Sequence, residues 1–299
     1  MKKVLKWISI ILGVLILVIV VAITGLYMSV QLRADRAYTI QPANLAIPND
    51  ASAIARGKRW SAIHCQSCHG DDLAGTAFFS DPGLGSFNAS NLTKGKGGVG
   101  AAYTDTDWVR AIRHGVRPNG KPVLVMPSAD FYYLSDGDLS DIIAYVKSIP
   151  AVDKEWAKPN FTFIATVLAG AGAFGDLYGA ETINHTAPRP IAPKPGATVE
   201  YGDYLVRVDG CRTCHGKELA GGKEPNPEAP PGPNLTPGGE IAKWSEADFI
   251  NAMRTGARPS GIPMTQFMPW QSYGKMSDDE LKAIWLYLKS LPAKATVKP

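Results

Sequence analysis

Cysteine and histidine are scarce in this sequence: four Cys and five His stand among 299 residues. No Cys lies in the first thirty residues, which excludes a lipoprotein signal, and no small-x-small site closes the apolar run there, which argues against a cleaved signal peptide. A basic stripe is also missing. The 31 basic side chains exceed the 27 acidic ones, but setting aside Lys2, Lys3 and Lys6 leaves 28 against 27, a balance that gives nucleic acid no purchase. Strand-like alternation is rare, so the chain reads as short helices joined by Gly- and Pro-rich loops.

What is present is concentrated. All four cysteines and two of the histidines fall in two pentapeptides, Cys65-Gln66-Ser67-Cys68-His69 and Cys211-Arg212-Thr213-Cys214-His215. Cys-x-x-Cys on one helical turn sets both sulfurs on one face, where they can form thioethers to the two vinyl groups of a porphyrin. The following His can then turn its ring onto the iron. This is the c-type haem attachment motif, and two copies imply two covalently attached haem c groups. Structural zinc could use two Cys-x-x-Cys knuckles, yet nothing in that chemistry requires a His after each. A redox dithiol wants a strand-turn-helix setting, and neither motif follows an apolar strand pattern.

One long apolar run exists. Trp7 to Val30 is uncharged, follows Lys2, Lys3 and Lys6, and as a helix would cover roughly 35 Å against a hydrocarbon core of about 30 Å. It reads as a retained, single-pass anchor over residues 1–32. Arg33 and Arg36 beyond it are partly balanced by Asp35, so the lysine excess places the N-terminus inside. The remainder then lies on the outer, periplasmic face of the cytoplasmic membrane.

Residues 33–50, with Pro42 and Pro48, read as an extended tether. Beyond them the chain repeats itself. Asp72-Leu73-Ala74-Gly75 matches Glu218-Leu219-Ala220-Gly221, and Asn91-Leu92-Thr93 matches Asn234-Leu235-Thr236. Thr104 and Ser245 are expected N-caps of helices reaching Arg113 and Arg254. Arg117-Pro118-Asn119-Gly120 and Arg258-Pro259-Ser260-Gly261 read as turns, followed by Met126-Pro127 and Met268-Pro269. Ser135 and Ser277 then cap helices that stop at Pro150 and Pro292. The expected organisation is therefore one domain at 51–150, an interdomain segment at 151–200 and a second domain at 201–295. Within the interdomain segment, Phe161 to Ala173 is too short for a second span and is expected to pack on the first domain or the interdomain face. Ala187 to Pro195 is a stiff linker.

The motif His residues, His69 and His215, supply one axial position on each iron. Met126 and Met268 hold equivalent places before a Pro, from which a thioether can reach the opposite face, and His/Met is a common haem ligation. Met264 reads as a gap filler. Each ligating His should donate its second ring N–H to an acceptor; the carbonyl of Pro233 is the candidate in the second unit and Ser90 stands at the same place in the first. Arg113 and Arg254 are candidate partners for haem propionates. Gly95 to Gly100 spells G-x-G-x-x-G, but no apolar strand precedes it, and it reads as a surface loop. His64, His114 and His185 are read as carrying no chemistry.

With these residues the chain resembles the multihaem cytochrome c proteins related to the cytochrome subunits of membrane-bound alcohol and gluconate dehydrogenases. The resemblance covers roughly residues 50–295 and rests on Cys-x-x-Cys-His, Asn-Leu-Thr, Arg-x-Gly-x-Arg-Pro, Met-Pro and the Tyr-Leu-Lys-Ser-Leu-Pro ending. It implies an all-α chain with two class I cytochrome c-like domains behind the transmembrane helix. It also implies electron relay between an outer-face dehydrogenase or respiratory complex and a terminal acceptor, with no small-molecule substrate. The family usually carries three haems, and this chain has two motifs. A dihaem redox enzyme of the peroxidase or thiosulfate-oxidising type is the alternative; it would need an open or altered axial site.

Overall fold

The computed structural model describes residues 2–223 and 229–297. Its first element, α1 (Lys2–Asp35), is long and apolar enough to cross a membrane, and its side chains from Val4 to Val21 touch no other part of the fold closely enough to be buried.

Two units follow. The first holds α2 (Ala51–His64), α3 (Gln66–His69), α4 (Asp105–His114), α5 (Ser128–Phe131) and α6 (Asp136–Ser148). After α7 (Phe163–Gly170) the second repeats the order with α8 (Val199–Val208), α9 (Cys211–His215), α10 (Glu246–Thr255), α11 (Trp270–Tyr273) and α12 (Asp278–Ser290). Side-chain caps start these helices. Asp50 accepts from the amides of Ser52 and Ala53, and Thr104 and Ser245 form reciprocal capping boxes with Asp107 and Asp248. In each unit the first helix crosses the last at a glycine. A Cβ on Gly57 would sit 1.8 Å from the Asp141 carbonyl oxygen, and one on Gly202 would sit 2.0 Å from that of Ala283. Only the missing side chain lets the two backbones approach, so these glycines set the frame of each unit.

The expectation of an all-α chain needs correction, because the described residues form two small antiparallel sheets beside the helices. In the first unit β1 (Phe79–Asp81), β2 (Gly85–Phe87) and β3 (Asn160–Phe161) pair in that order. Asp81 closes the tight turn between β1 and β2 by accepting from the amides of Gly83 and Leu84 at 2.8 Å each, and the rings of Phe79, Phe87 and Phe161 line up across the strands. In the second unit β4 (Ala220–Gly222) pairs with β5 (Gly232–Asn234). Strands of two or three residues have no room for the alternation by which a strand is legible in sequence.

The tether does not hang free. The Tyr38 amide donates to the Gly120 carbonyl at 2.9 Å, and Leu45 and Ile47 pack against the core. Likewise α7 lies against α1 and not at the face between the units: the rings of Tyr27 and Phe163 stack 5.3 Å apart, and Arg33 pairs with Glu181 at 2.6 Å just beyond.

The two units meet through equivalent elements, α5 packing on α8 while α11 packs on α2. Side chains follow the same exchange. Tyr204 donates to Asp138 at 2.5 Å and Arg59 pairs with Glu280. The Arg207 guanidinium lies over the Tyr133 ring, while Lys275 donates to the Ala62 carbonyl and Gln66 at 3.2 Å. Such swapping of patches is the signature of an isologous contact, so an approximate two-fold relates the units. One hydrophobic cluster runs through both, from Trp60 and Leu139 to Leu205 and Leu281.

Candidate haem sites

Each Cys-x-x-Cys-His begins where the first helix of its unit ends. The Cys65 amide still donates to Ser61 at 2.8 Å and the His69 amide to Cys65 at 2.8 Å, so both cysteines and the His lie on about one turn. Burial pushes the Cys65 thiol up to about 11 and the Cys68 and Cys211 thiols upward as well. A redox-active dithiol requires the opposite shift. Among the described residues no three His, Cys, Asp or Glu side chains gather as a metal site, so the two Cys pairs do not converge on one ion.

The His69 Nδ1 lies 2.7 Å from the Ser90 carbonyl oxygen and the His215 Nδ1 lies 2.8 Å from that of Pro233. A carbonyl only accepts, so Nδ1 carries the proton in both rings and Nε2 is the nitrogen left with a lone pair, as a metal ligand needs. The acceptor loops are braced in turn. Asn91 donates to the Val152 carbonyl at 2.8 Å and its own oxygen accepts from the Thr93 amide at 2.9 Å; Asn234 does the same with Lys294 and Thr236, at 2.8 Å each. This is what the Asn-Leu-Thr repeat does, and the sequence carried its signal only as recurrence. Leu73 and Leu219, equivalent in the repeat, both hold positive φ, 55° and 58°, and both are fully buried. A bulky residue in this region is strained, and its recurrence at the same place in both units ties the strain to the site.

In the first unit a cavity of about 1260 Å³, its open mouth included, has Cys65, Cys68 and His69 on one wall and Val123 to Pro127, Met126 among them, on another. Leu92, Trp108, Phe131, Leu134, Ile142 and Val146 make the rest of the wall apolar. A flat apolar group with a metal at its centre, reached by two sulfurs and a nitrogen on one side and a thioether on the other, fits this lining. Val125, immediately before Met126, holds φ 59°, an outlier for a β-branched side chain, and its amide donates to the Leu177 carbonyl at 2.7 Å. In the second unit Met268 and Met264 both pack at the core edge. The Met264 amide donates to Gly256 as the Val123 amide does to Gly115, at 2.7 Å in each case, so the counterpart of Met264 is Val123.

The arginines are engaged elsewhere. Arg113 is 1% exposed, does not line the cavity, and donates to Asp136 at 2.7 Å and the Leu134 carbonyl at 2.8 Å. Arg254 makes the equivalent contacts with Asp278, at 2.7 Å, and the Gly274 carbonyl. Both tie the middle helix to the start of the last one, and in the first unit the arginine that does line the cavity is Arg117.

The remaining histidines are better placed than their sequence context indicates. His64 lines the cavity, and its Nε2 lies 3.3 Å from Asp209 Oδ1 across the interface, though not aligned for a hydrogen bond. Burial holds His64 down at about 3 and pushes Asp209 well above the usual carboxylate range, so both side chains favour their neutral forms. His114 Nδ1 and His185 Nδ1 are 3.0 Å apart; His185 Nε2 donates to the Ala180 carbonyl, so its Nδ1 accepts and His114 donates.

Comparison with known proteins follows the same outline. The chain is 30% identical over 279 residues to the fructose dehydrogenase cytochrome subunit of Gluconobacter japonicus, an overlap covering 83% of this chain and 55% of that one. It is 26% identical to the cytochrome c subunit of the quinone alcohol dehydrogenase of Gluconobacter oxydans (strain 621H), over 82% of this chain and 56% of the relative. A shorter match, 35% over 102 residues, joins it to the gluconate 2-dehydrogenase cytochrome c subunit of Pantoea cypripedii. The chain thus spans about half the length of the first two relatives. The cytochrome c family model matches twice, at residues 54–150 and 199–292, once over each unit that carries a Cys-x-x-Cys-His turn and its carbonyl-bound histidine, and the chain belongs to the cytochrome c family.

Proposed function

We propose that this chain is a membrane-anchored dihaem cytochrome c that carries electrons from an outer-face dehydrogenase or respiratory complex to a terminal acceptor. Each unit is a class I domain holding one haem c. Cys65, Cys68, Cys211 and Cys214 would hold the haems through thioethers, and His69 with Met126 and His215 with Met268 would ligate the irons. When bound, the haem supplies a one-electron iron couple whose potential His/Met ligation raises. The protein's part is to attach, orient and shield. The carbonyls of Ser90 and Pro233 fix each His ring, Asn91 and Asn234 hold those carbonyls in place, and the apolar wall excludes water.

The dehydrogenase partner is proposed from the relatives, which are named as cytochrome subunits of dehydrogenases. The anchor reading rests on α1, and the lysine excess at its start supports the reading that the units lie on the periplasmic face. The observation that carries the proposal is the duplicated His-to-carbonyl contact, 2.7 Å in one unit and 2.8 Å in the other, beside two Cys-x-x-Cys turns. Its test is carbon monoxide binding to the reduced, purified chain, with haem content read by denaturing mass spectrometry. The expected result is two covalent haems and slow carbon monoxide binding at both. Rapid stoichiometric binding at one haem, together with peroxide turnover, would replace the carrier with an enzyme.

A further inference from the structure

The segment α7 is built inside out for a helix in water. Its large apolar side chains face outward, with Phe163 59%, Ile164 62% and Leu168 39% exposed, while the residues turned inward are small: Ala165 1%, Thr166 5% and Ala169 6% exposed. At about 100° per residue, Phe163, Val167, Ile164 and Leu168 share one arc of roughly 140°. No charged residue occurs in the helix. A surface helix of a soluble protein arranges these classes the other way. In lipid the observed arrangement is the expected one, because small residues let helices approach while bulky apolar ones face the acyl chains.

Its position identifies the occupant. The small face rests on α1, where a Cβ on Gly170 would lie 2.4 Å from the Leu26 carbonyl oxygen, Ala169 packs in a cluster with Val30, and Phe163 stacks on Tyr27. Trp7 and Tyr27 are twenty residues apart on α1, roughly 30 Å along the helix, which matches the hydrocarbon thickness and sets one aromatic ring at each boundary. Helix α7 therefore meets the anchor at the outer boundary, and its exposed apolar arc continues the bare surface of α1. The first-unit sheet delivers it there, since β3 ends at Phe161 and α7 starts two residues later.

We infer that α7 is a second membrane contact, embedded in the outer leaflet beside α1, and that it fixes how the first haem unit sits on the bilayer. This rests on the anchor reading above. At eight residues α7 is too short to span, and its role is that of an interfacial helix.

The test uses the full haem-loaded chain in liposomes of phosphatidylcholine and phosphatidylglycerol doped with a phospholipid carrying a photoreactive diazirine on its acyl chain. Digestion and mass spectrometry then locate the adducts. Adducts are expected on α1 and on the 159–189 fragment, within about threefold of each other per apolar residue, and not on α12. Combined Phe163→Ser, Ile164→Ser and Leu168→Ser should lower the yield on that fragment at least tenfold while leaving α1 labelling and the haem spectrum unchanged. Should that variant fail to accumulate, the wild-type map decides alone. Adducts on α1 with none on 159–189 would overturn the inference and leave the anchor standing, whereas no adducts on α1 would remove the anchor itself. Adducts that persist in the triple variant would also overturn it, as would their absence in native membranes, where a protein covering the face would intercept the label.

Discussion

The two repeated units share a frame and differ in their surroundings. Both have the Gly-mediated helix crossing, the left-handed leucine, the asparagine brace and the His-to-carbonyl contact. Among the described residues, the three-stranded aromatic sheet, the contacts with α1 and the left-handed Val125 before its methionine belong to the first unit alone. His114 of the first unit corresponds to Thr255 of the second, and His64 corresponds to Asp209. Duplication has kept the helix crossing, the histidine and its brace, and altered what surrounds them, including Phe87, Val125 and His64 of the first-unit cavity wall.

The largest effect expected from this comparison is on haem content. Cys65→Ala with Cys68→Ala, or Cys211→Ala with Cys214→Ala, should each remove one of two haems in denaturing mass spectrometry; a variant that loses both would mean the units cannot load separately. Next come the framing glycines. Gly57→Ala and Gly202→Ala each force a Cβ into a carbonyl, and the close approach puts the cost toward the upper end of the about 1–3 kcal/mol typical of overpacking. Thermal melts of the two should drop alike, and a markedly smaller drop for Gly57→Ala would show that the anchor side buttresses the first unit.

The asparagine braces should matter less to stability and more to the iron. Asn91→Ala takes the donor from the Val152 and Lys154 carbonyls, Asn234→Ala takes it from the Lys294 carbonyl and the Thr296 hydroxyl, and each leaves a buried threonine amide without its acceptor, about 1–3 kcal/mol; a redox titration should show one midpoint moving per variant. His64 gives a pH signature that the second unit lacks. With its pKa held at about 3 when folded against an ordinary 6.5, the unfolded chain binds the extra proton between those values, so His64 makes stability rise with pH through that window and lowers it as pH falls. In His64→Gln the slope of unfolding free energy between pH 4 and 6 should flatten by up to about 1.4 kcal/mol per pH unit. Smallest is the interface pair Arg59–Glu280. Arg59 is partly exposed, so Arg59→Ala should cost under about 1 kcal/mol, less than Tyr204→Phe, which strips a buried donor from Asp138.

Much of the cradle was legible because it is written locally and twice. Cys-x-x-Cys-His, the serine and threonine caps and the Met-Pro pairs each act within a few residues, and repetition marked Asn-Leu-Thr as significant without disclosing what it does. The illegible parts depend on residues far apart in sequence. Arg113 looks like a propionate partner until Asp136 and Leu134 arrive from the next helix to occupy it. His64 looks idle until Asp209 of the other unit lies beside it. The strands escaped notice because each is two or three residues long, and the placement of α7 against α1 stayed hidden because composition alone does not say which way an apolar side chain points.

The isologous contact between the units has a consequence for descent. A patch that fits its own copy is what a homodimer possesses before any fusion, so an ancestral protein of one unit would have paired with itself through the surfaces now carried by α2 and α5 and by α8 and α11. Joining two copies in one chain made each partner permanent and freed the halves to diverge. A histidine on one side and a carboxylic acid on the other, facing each other where a symmetric pair would have set like against like, is an asymmetry that a homodimer cannot hold.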